Sequence, residues 1–412
     1  MGKAVFFNLP GAVGHINPSL GLVSELVKRG EQVIYYAGED SRSAIESRGA
    51  VFRNYQPYFD YHHNAQAAAE LIGAAFTLLE LAEASVVGLA KQLDDDKPDY
   101  IIYDSCCLYG KYLAQRLGVP GICIITTVVS TPLLLIADLP LGAHVAKELV
   151  LAVPKVVEAR RRLMDMLASV GLPYRNIVHH AFDIFANEGD LNIVFLSPKY
   201  QPFSNRLKPN YKLVGASIPE GRDNVDLNLP NTVGERLVYI SLGTVHNMRA
   251  DFYRQCLKAF EGAPYHVVMS VGRNTDVDDL GEIPSNFTVR NRVPQLEVLK
   301  RADAFVTHAG MNSINESLYF NVPMVMVPQQ VEQEFNARRV RKNGAGVVLP
   351  RHKVSVKSLR QSVDGLLQEP QYAKNAEAFG ESLRAAGGYR RAAAEILEFV
   401  GENDNSSLRK LA

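Results

Sequence analysis

The sequence predicts an α/β protein built from two doubly wound domains that face each other across a cleft. Short apolar runs suited to buried strands alternate with helix-like stretches from the N-terminus onward, the pattern of a parallel sheet with crossover helices. A Pro-, Asn- and Gly-rich passage, residues 198–234, interrupts that alternation, which then restarts. The length, 412 residues, is also more than one core usually holds. We therefore divide the chain into residues 1–215 and 216–412, and expect the C-terminal helices to pack back on the first domain.

The elements follow in order. Residues 4–9 (AVFFNL) are a buried strand, and Asn17-Pro18 reads as an N-cap with proline at the first helical position, opening a helix to about Arg29. Residues 32–37 are strand-like, 41–48 helical, and 51–53 a short strand. The Ala- and Leu-rich stretch 65–93 is a long helix with breaks expected at Gly73 or Gly88. Residues 100–103 (YIIY) form a strand ending at Asp104, and 121–137 a buried strand followed by an apolar wall. Residues 155–167 are helical, and 191–196 complete the first sheet. In the second half, 237–241, 265–270, 287–290, 304–307 and 323–327 are strands, with a helix over 251–260 and helical sequence beyond Ser355.

Composition narrows the function classes. Lysine plus arginine equals aspartate plus glutamate at 44 each, which argues against broad binding to nucleic acid or anionic lipid. The four cysteines show no CxxC or metal-ligand spacing, so neither a disulfide scaffold nor a metal site is expected, as suits a reducing cytoplasm. The most apolar region, 121–137, is interrupted by hydroxyl residues and Pro132 and is short for a membrane span, so no stable membrane insertion is expected. The acidic run Asp94-Asp95-Asp96 reads as a solvated helix end.

Two turns concentrate chemistry. In PGAVGHINP, residues 10–18, His15 falls in the loop ahead of the first helix, at the carboxyl end of the first strand, where open α/β sheets bind ligands. A histidine that merely bonds the loop backbone is the alternative. In THAGMNSINE, residues 307–316, Gly310 lets a ligand approach the backbone before a helix that opens near Asn312-Ser313. Such a helix start suits an anion, and Ser241-Leu242-Gly243-Thr244 makes a similar turn after another strand. The dipole alone supplies about 0.3–1 kcal/mol per charge, so a diphosphate also needs the side chains of His308, Asn312 and Ser313. The competing reading is an S-x-x-E capping box of Ser313 with Glu316; likewise Glu332 and Gln333 fit the start of the helix after Gln330.

VPQLEVL (293–299), THAGMNSINE (307–316), NVPMVMVP (321–328) and VEQ (331–333) together resemble the donor-binding signature of the inverting family 1 UDP-glycosyltransferases. PGAVGHINPSLGLVSEL at the start resembles that family's bacterial macrolide and flavonoid branch, so the resemblance spans nearly the whole chain. It implies the GT-B fold of two Rossmann-like domains, the first binding an acceptor and the second a nucleotide sugar, UDP-glucose first among them. Val293 would meet the uracil through its backbone with Gln295 nearby, and Glu316 would accept from the ribose hydroxyls. His308, Asn312, Ser313 and Thr244 would hold the diphosphate, and Glu332 and Gln333 the sugar hydroxyls. Arg292 stands where plant members carry a stacking tryptophan; a guanidinium plane also stacks. Met311 replaces another frequent tryptophan, and Glu332 a commoner aspartate.

Within that reading His15 is the base. In inverting transfer an acceptor hydroxyl attacks the anomeric carbon as the diphosphate leaves, through an oxocarbenium-like transition state. Neutral imidazole takes a proton near pH 7, and a following helix N-terminus favours the neutral form. Asp104, on the same rim of the sheet, is the expected orienting partner, with loop capping as its alternative. No cofactor or metal is expected: the UDP-sugar is a co-substrate and no DxD pair follows a strand. The acceptor is expected to be a hydrophobic small molecule (flavonoid, other phenol or macrolide) walled by residues 55–76 and 126–141. Rival readings are a nucleotide-sugar epimerase, a glycolipid-forming transferase, a non-catalytic binding module, and a dinucleotide oxidoreductase, for which GAVGHINP lacks the third glycine of the fingerprint.

Overall fold

The computed structural model describes residues 2–55, 58, 71–151, 153–172, 187–219, 221–222, 236–243, 249–273 and 275–411. The chain forms two compact units, Met1–Pro219 with Ala386–Ala412, and Glu220–Ala385.

The first unit holds a parallel sheet of β1 (Lys3–Phe7), β2 (Gln32–Ala37), β3 (Val51–Asn54), β4 (Tyr100–Asp104), β5 (Gly121–Ile125), β6 (Leu191–Val194) and β7 (Tyr211–Leu213). Its helices are α1 (Val13–Lys28), α2 (Arg42–Glu46), α3 (Leu71–Asp96), α4 (Leu108–Leu117), α5 (Pro132–Ala137), α6 (Leu139–Leu151) and α7 (Val153–Ser169). Strand order is β3-β2-β1-β4-β5-β6-β7. Helices on both faces bury both faces of the strands, which is why β4 and β5 read as continuous apolar runs rather than alternating ones. The winding reverses between β1 and β4, so the loops after these two strands diverge and leave room for a ligand.

The second unit repeats the plan with β8 (Arg236–Ser241), β9 (Tyr265–Ser270), β10 (Phe287–Arg290), β11 (Ala304–Thr307), β12 (Met324–Met326) and β13 (Gly346–Val348), in the order β10-β9-β8-β11-β12-β13. Its helices are α8 (Ala250–Phe260), α9 (Gln295–Leu299), α10 (Met311–Tyr319), α11 (Val331–Lys342), α12 (Val356–Gln368) and α13 (Pro370–Ala385). Here the reversal lies between β8 and β11, paired in register with Ser241 beside Thr307.

The last helix, α14 (Gly388–Leu411), returns to the first unit and lies along α1. Gly21 of α1 makes this approach close: a Cβ there would meet the Tyr389 ring at 2.9 Å. Ala392, Ala393 and Ile396 enter the same core as Leu22, Val23 and Leu26. Ile396→Ala should therefore destabilise the first unit by about 2–5 kcal/mol, read as a lower urea midpoint. A change below about 0.5 kcal/mol, the scale of an exposed position, would contradict this packing.

Four local readings need correction. Helix α1 starts at Val13, not at Pro18, because the Ala12 carbonyl already accepts from the N–H of His15 (2.8 Å) and Ile16 (3.1 Å). Pro18 sits inside the helix, where its fixed φ is tolerated for the loss of one backbone bond. A seventh strand, β7, lies within the passage read as connector; three residues at the sheet edge carry too little apolar pattern to stand out. Helix α3 runs through Gly73 and Gly88 unbroken, and Gly88 admits Tyr58, whose ring atom would lie 2.3 Å from a Cβ there. Finally, Asp96 is buried rather than solvated and accepts from Arg53 at 3.2 Å, while Asp94 pairs with Arg116 at 2.7 Å.

Candidate active-site residues

Each unit gathers its candidate residues at the carboxyl ends of the strands flanking its winding reversal. In the first unit, His15 lies in the first turn of α1, and Asp104 ends β4 with no exposed surface. His15 Nδ1 is 2.9 Å from Asp104 Oδ2, and its side chain is 25% exposed. A carboxylate only accepts, so Nδ1 carries the hydrogen and the lone pair is left on Nε2. Asp104 Oδ1 accepts the backbone N–H of Cys106 at 2.8 Å, which fixes the carboxylate plane. Asn8 Nδ2 donates to the His15 carbonyl at 3.1 Å, and Thr126 Oγ1, just after β5, lies 3.4 Å from Nδ1. The histidine is thus tied to a buried acid and is more than a loop brace.

In the second unit, Ser241 Oγ accepts the Gly243 N–H at 3.3 Å and closes the turn after β8. Gly243 has φ +81°, a left-handed value. The His308 imidazole is wedged between the two turns: a Cβ on Gly243 would lie 2.5 Å from its Cε1, and one on Gly310 2.4 Å from its Nε2. Gly310→Ala should therefore displace the His308 ring; an unshifted imidazole NMR signal in that variant would contradict this packing. Gly310 is also the N-cap of α10 and, as a glycine, brings no side chain to cap it. Asn312 and Ser313 follow in the first turn, Asn312 part-exposed and Ser313 buried.

Glu316 does not close a capping box, because Ser313 is inside the helix and not at its N-cap. Its buried carboxylate faces Arg222 Nη1 at 2.8 Å on one oxygen and Gln295 Nε2 at 2.6 Å on the other. Gln295 in turn accepts from Tyr239 at 3.1 Å. Val293 is buried and Arg292 exposed. At the start of α11, Gln333 accepts the Gln329 N–H at 2.8 Å, so its side chain does brace that helix start. Exposed Glu332 meets Asn336 Nδ2 at 3.4 Å, and the same Nδ2 lies 3.4 Å from the Ala309 carbonyl. Thr244 lies outside the described residues.

Relatives carry the same arrangement of sequence from end to end. The chain is 33% identical to the uncharacterized UDP-glucosyltransferase YojK of Bacillus subtilis over 99% of this chain and all of that one. The chain belongs to the UDP-glycosyltransferase family. Its residues 200–381 match the family described as UDP-glucoronosyl and UDP-glucosyl transferase. It is 31% identical to the oleandomycin glycosyltransferase of Streptomyces antibioticus over 93% of this chain and 87% of that one. The solved glycotransferase of kitacinnamycin superposes with a TM-score of 0.82 at 28% identity, covering 96% of this chain and 98% of that one. This UDP-glycosyltransferase is an enzyme of GT-B fold acting on small-molecule acceptors, which sets aside the binding-module and oxidoreductase readings. Among its described residues no helix is long and apolar enough to cross a membrane.

Sequence reasoning missed two residues of this UDP-glycosyltransferase. Arg222 sits in the polar connector, where nothing local marks it as the partner of a buried acid 94 positions on. Cys106 carries no spacing signal; only its place two residues after Asp104 could have drawn notice.

Proposed function

We propose that this enzyme transfers glucose from UDP-glucose, with inversion, to a hydroxyl of a hydrophobic small molecule such as a flavonoid, another phenol or a macrolide. The observation that carries the reading is the 2.9 Å contact between half-buried His15 and fully buried Asp104 at the winding reversal of the first sheet. Nε2 takes the acceptor proton as the oxygen attacks the anomeric carbon, and the imidazolium so formed is stabilised by Asp104. The β-phosphate oxygen leaves with the electron pair of the broken glycosidic bond.

On the donor side Val293 and Arg292 hold the uracil, by backbone and by guanidinium stacking, with Gln295 beside them. Glu316 accepts from the ribose hydroxyls: each carboxylate oxygen keeps acceptor capacity beyond its bonds to Arg222 and Gln295. Ser241, Gly243, Thr244, His308, Gly310, Asn312 and Ser313 form the diphosphate cradle, and Glu332 and Gln333 meet the sugar. The α10 N-terminus contributes about 0.3–1 kcal/mol per charge, up to about 2 when partly buried. This scheme uses no cofactor or metal, since helix terminus and side chains meet the diphosphate charge.

The relatives' names support the donor and acceptor classes, a UDP-glucosyltransferase in one and an oleandomycin glycosyltransferase in the other. Exposed apolar residues Leu133, Ile136 and Leu139 on α5 and α6 support a hydrophobic acceptor. The test is product mass from UDP-glucose and dTDP-glucose with a phenol, flavonoid and macrolide panel. A product heavier by one hexose from UDP-glucose is expected; no product from any acceptor would refute the acceptor class, and preference for dTDP-glucose the donor.

A further inference from the structure

Beside the proposed base stands a thiol that the transfer reaction does not use. Cys106 follows Asp104 by two residues and lies partly exposed at the same rim, with its thiol against the Asp104 carboxylate. One ligand-capable atom each from His15, Asp104 and Cys106 comes within 4.8 Å of the others. Nitrogen, oxygen and sulfur together suit a borderline-soft divalent ion, not magnesium or calcium, which take oxygen. Three protein ligands with a fourth position open is an arrangement zinc accepts. Zinc–ligand bonds of about 2.0–2.3 Å in a tetrahedron put the donor atoms roughly 3.3–3.8 Å apart. The 2.9 Å His15–Asp104 contact would open by about half an ångström, and the other separations close slightly.

We propose that His15, Asp104 and Cys106 form an inhibitory zinc site, in which one Zn2+ replaces the hydrogen bond between the two dyad residues and silences the base. The proton balance is simple. The thiol releases one proton to solvent, and the carboxylate binds as it stands. Zinc takes Nδ1 of His15, whose hydrogen moves to Nε2, which then has no lone pair for an acceptor proton, so the base is lost. The inhibitory half of this proposal rests on the base role proposed for His15; the binding half does not.

The test uses the full chain, stripped with a chelator. Zinc titrated by calorimetry in buffers of different ionisation enthalpy should bind one equivalent with release of about one proton. Cobalt should give a thiolate-to-metal charge-transfer band in the near ultraviolet. Cys106→Ala should lose the band and bind zinc at least about tenfold more weakly, the cost of losing even a supporting partner, whereas Cys107→Ala should keep both. Cys106→Ser, which keeps the shape and gives up the thiolate, serves if the alanine variant fails to fold. Turnover of the parent should fall in proportion to zinc occupancy, and magnesium should not compete. Absence of the cobalt band, or equal zinc affinity after removal of Cys106, would overturn the site. Zinc bound through Cys106 with turnover intact would overturn the inhibitory role and, separately, count against His15 as base.

Discussion

His15→Ala is expected to lower kcat by about 10²–10⁴ while UDP still binds, the usual worth of a positioned general base. The acceptor hydroxyl then has no neutral imidazole to take its proton, yet every residue assigned to UDP lies in the other compact unit. Asp104→Asn should cost nearly as much. Asparagine can still accept the Nδ1–H, but it carries no charge to stabilise the imidazolium, and Asp104 is wholly buried with His15 Nδ1 on one oxygen and the Cys106 N–H on the other. The double variant should be little worse than either single one, because the two residues act as a unit. Steady-state kinetics with calorimetry of UDP binding reads all three. An unchanged kcat in His15→Ala would remove the base assignment.

The second large effect concerns the buried Arg222–Glu316 pair in the second unit. Glu316→Gln removes the carboxylate that faces the Arg222 guanidinium, only 8% exposed, a loss of about 3–5 kcal/mol when one member of a buried pair is removed. Against a typical domain stability of about 5–15 kcal/mol, that is enough to move the unfolding midpoint of the second unit far down in urea. It also disturbs Gln295, whose Nε2 now meets an amide in place of a carboxylate. Arg222→Met added to Glu316→Gln should recover much of the lost stability, since apolar replacement of a buried pair is often neutral or favourable. UDP affinity should not recover with it, because the carboxylate we propose as ribose acceptor is still absent. Recovery of both would make Glu316 a purely structural residue.

The alternation of strand and helix was legible because a doubly wound sheet buries both faces of its strands: Tyr100–Asp104 and Ala304–Thr307 are apolar runs that no amphipathic helix would carry. The short edge strand Tyr211–Leu213 was not, since three residues with one paired side need little apolar pattern. The start of α1 was misread because Asn17-Pro18 imitates a cap, whereas the carbonyl of Ala12, which has no side-chain signature, begins the helix. The His15–Asp104 contact was legible as two polar residues on one rim of the sheet, His15 in the turn that follows β1 and Asp104 at the end of neighbouring β4. The S-x-x-E spacing of Ser313 and Glu316 pointed to a cap that Gly310 occupies instead, and the true partners of Glu316 come from Arg222 and Gln295, which no local window contains. Long-range partners of buried charges are set by topology, and a linear pattern does not reveal them.

If a hydroxyl deprotonated by His15 attacks the sugar directly, the anomeric configuration of the product records it. In UDP-glucose the sugar is an α-anomer, so a single in-line displacement with water excluded must give a β-glucoside. Proton NMR of the product from UDP-glucose and a simple phenol is therefore predicted to show only the β-anomer. An α-glucoside would mean that the sugar is not transferred by one displacement, and would contradict the account built on His15 and Asp104.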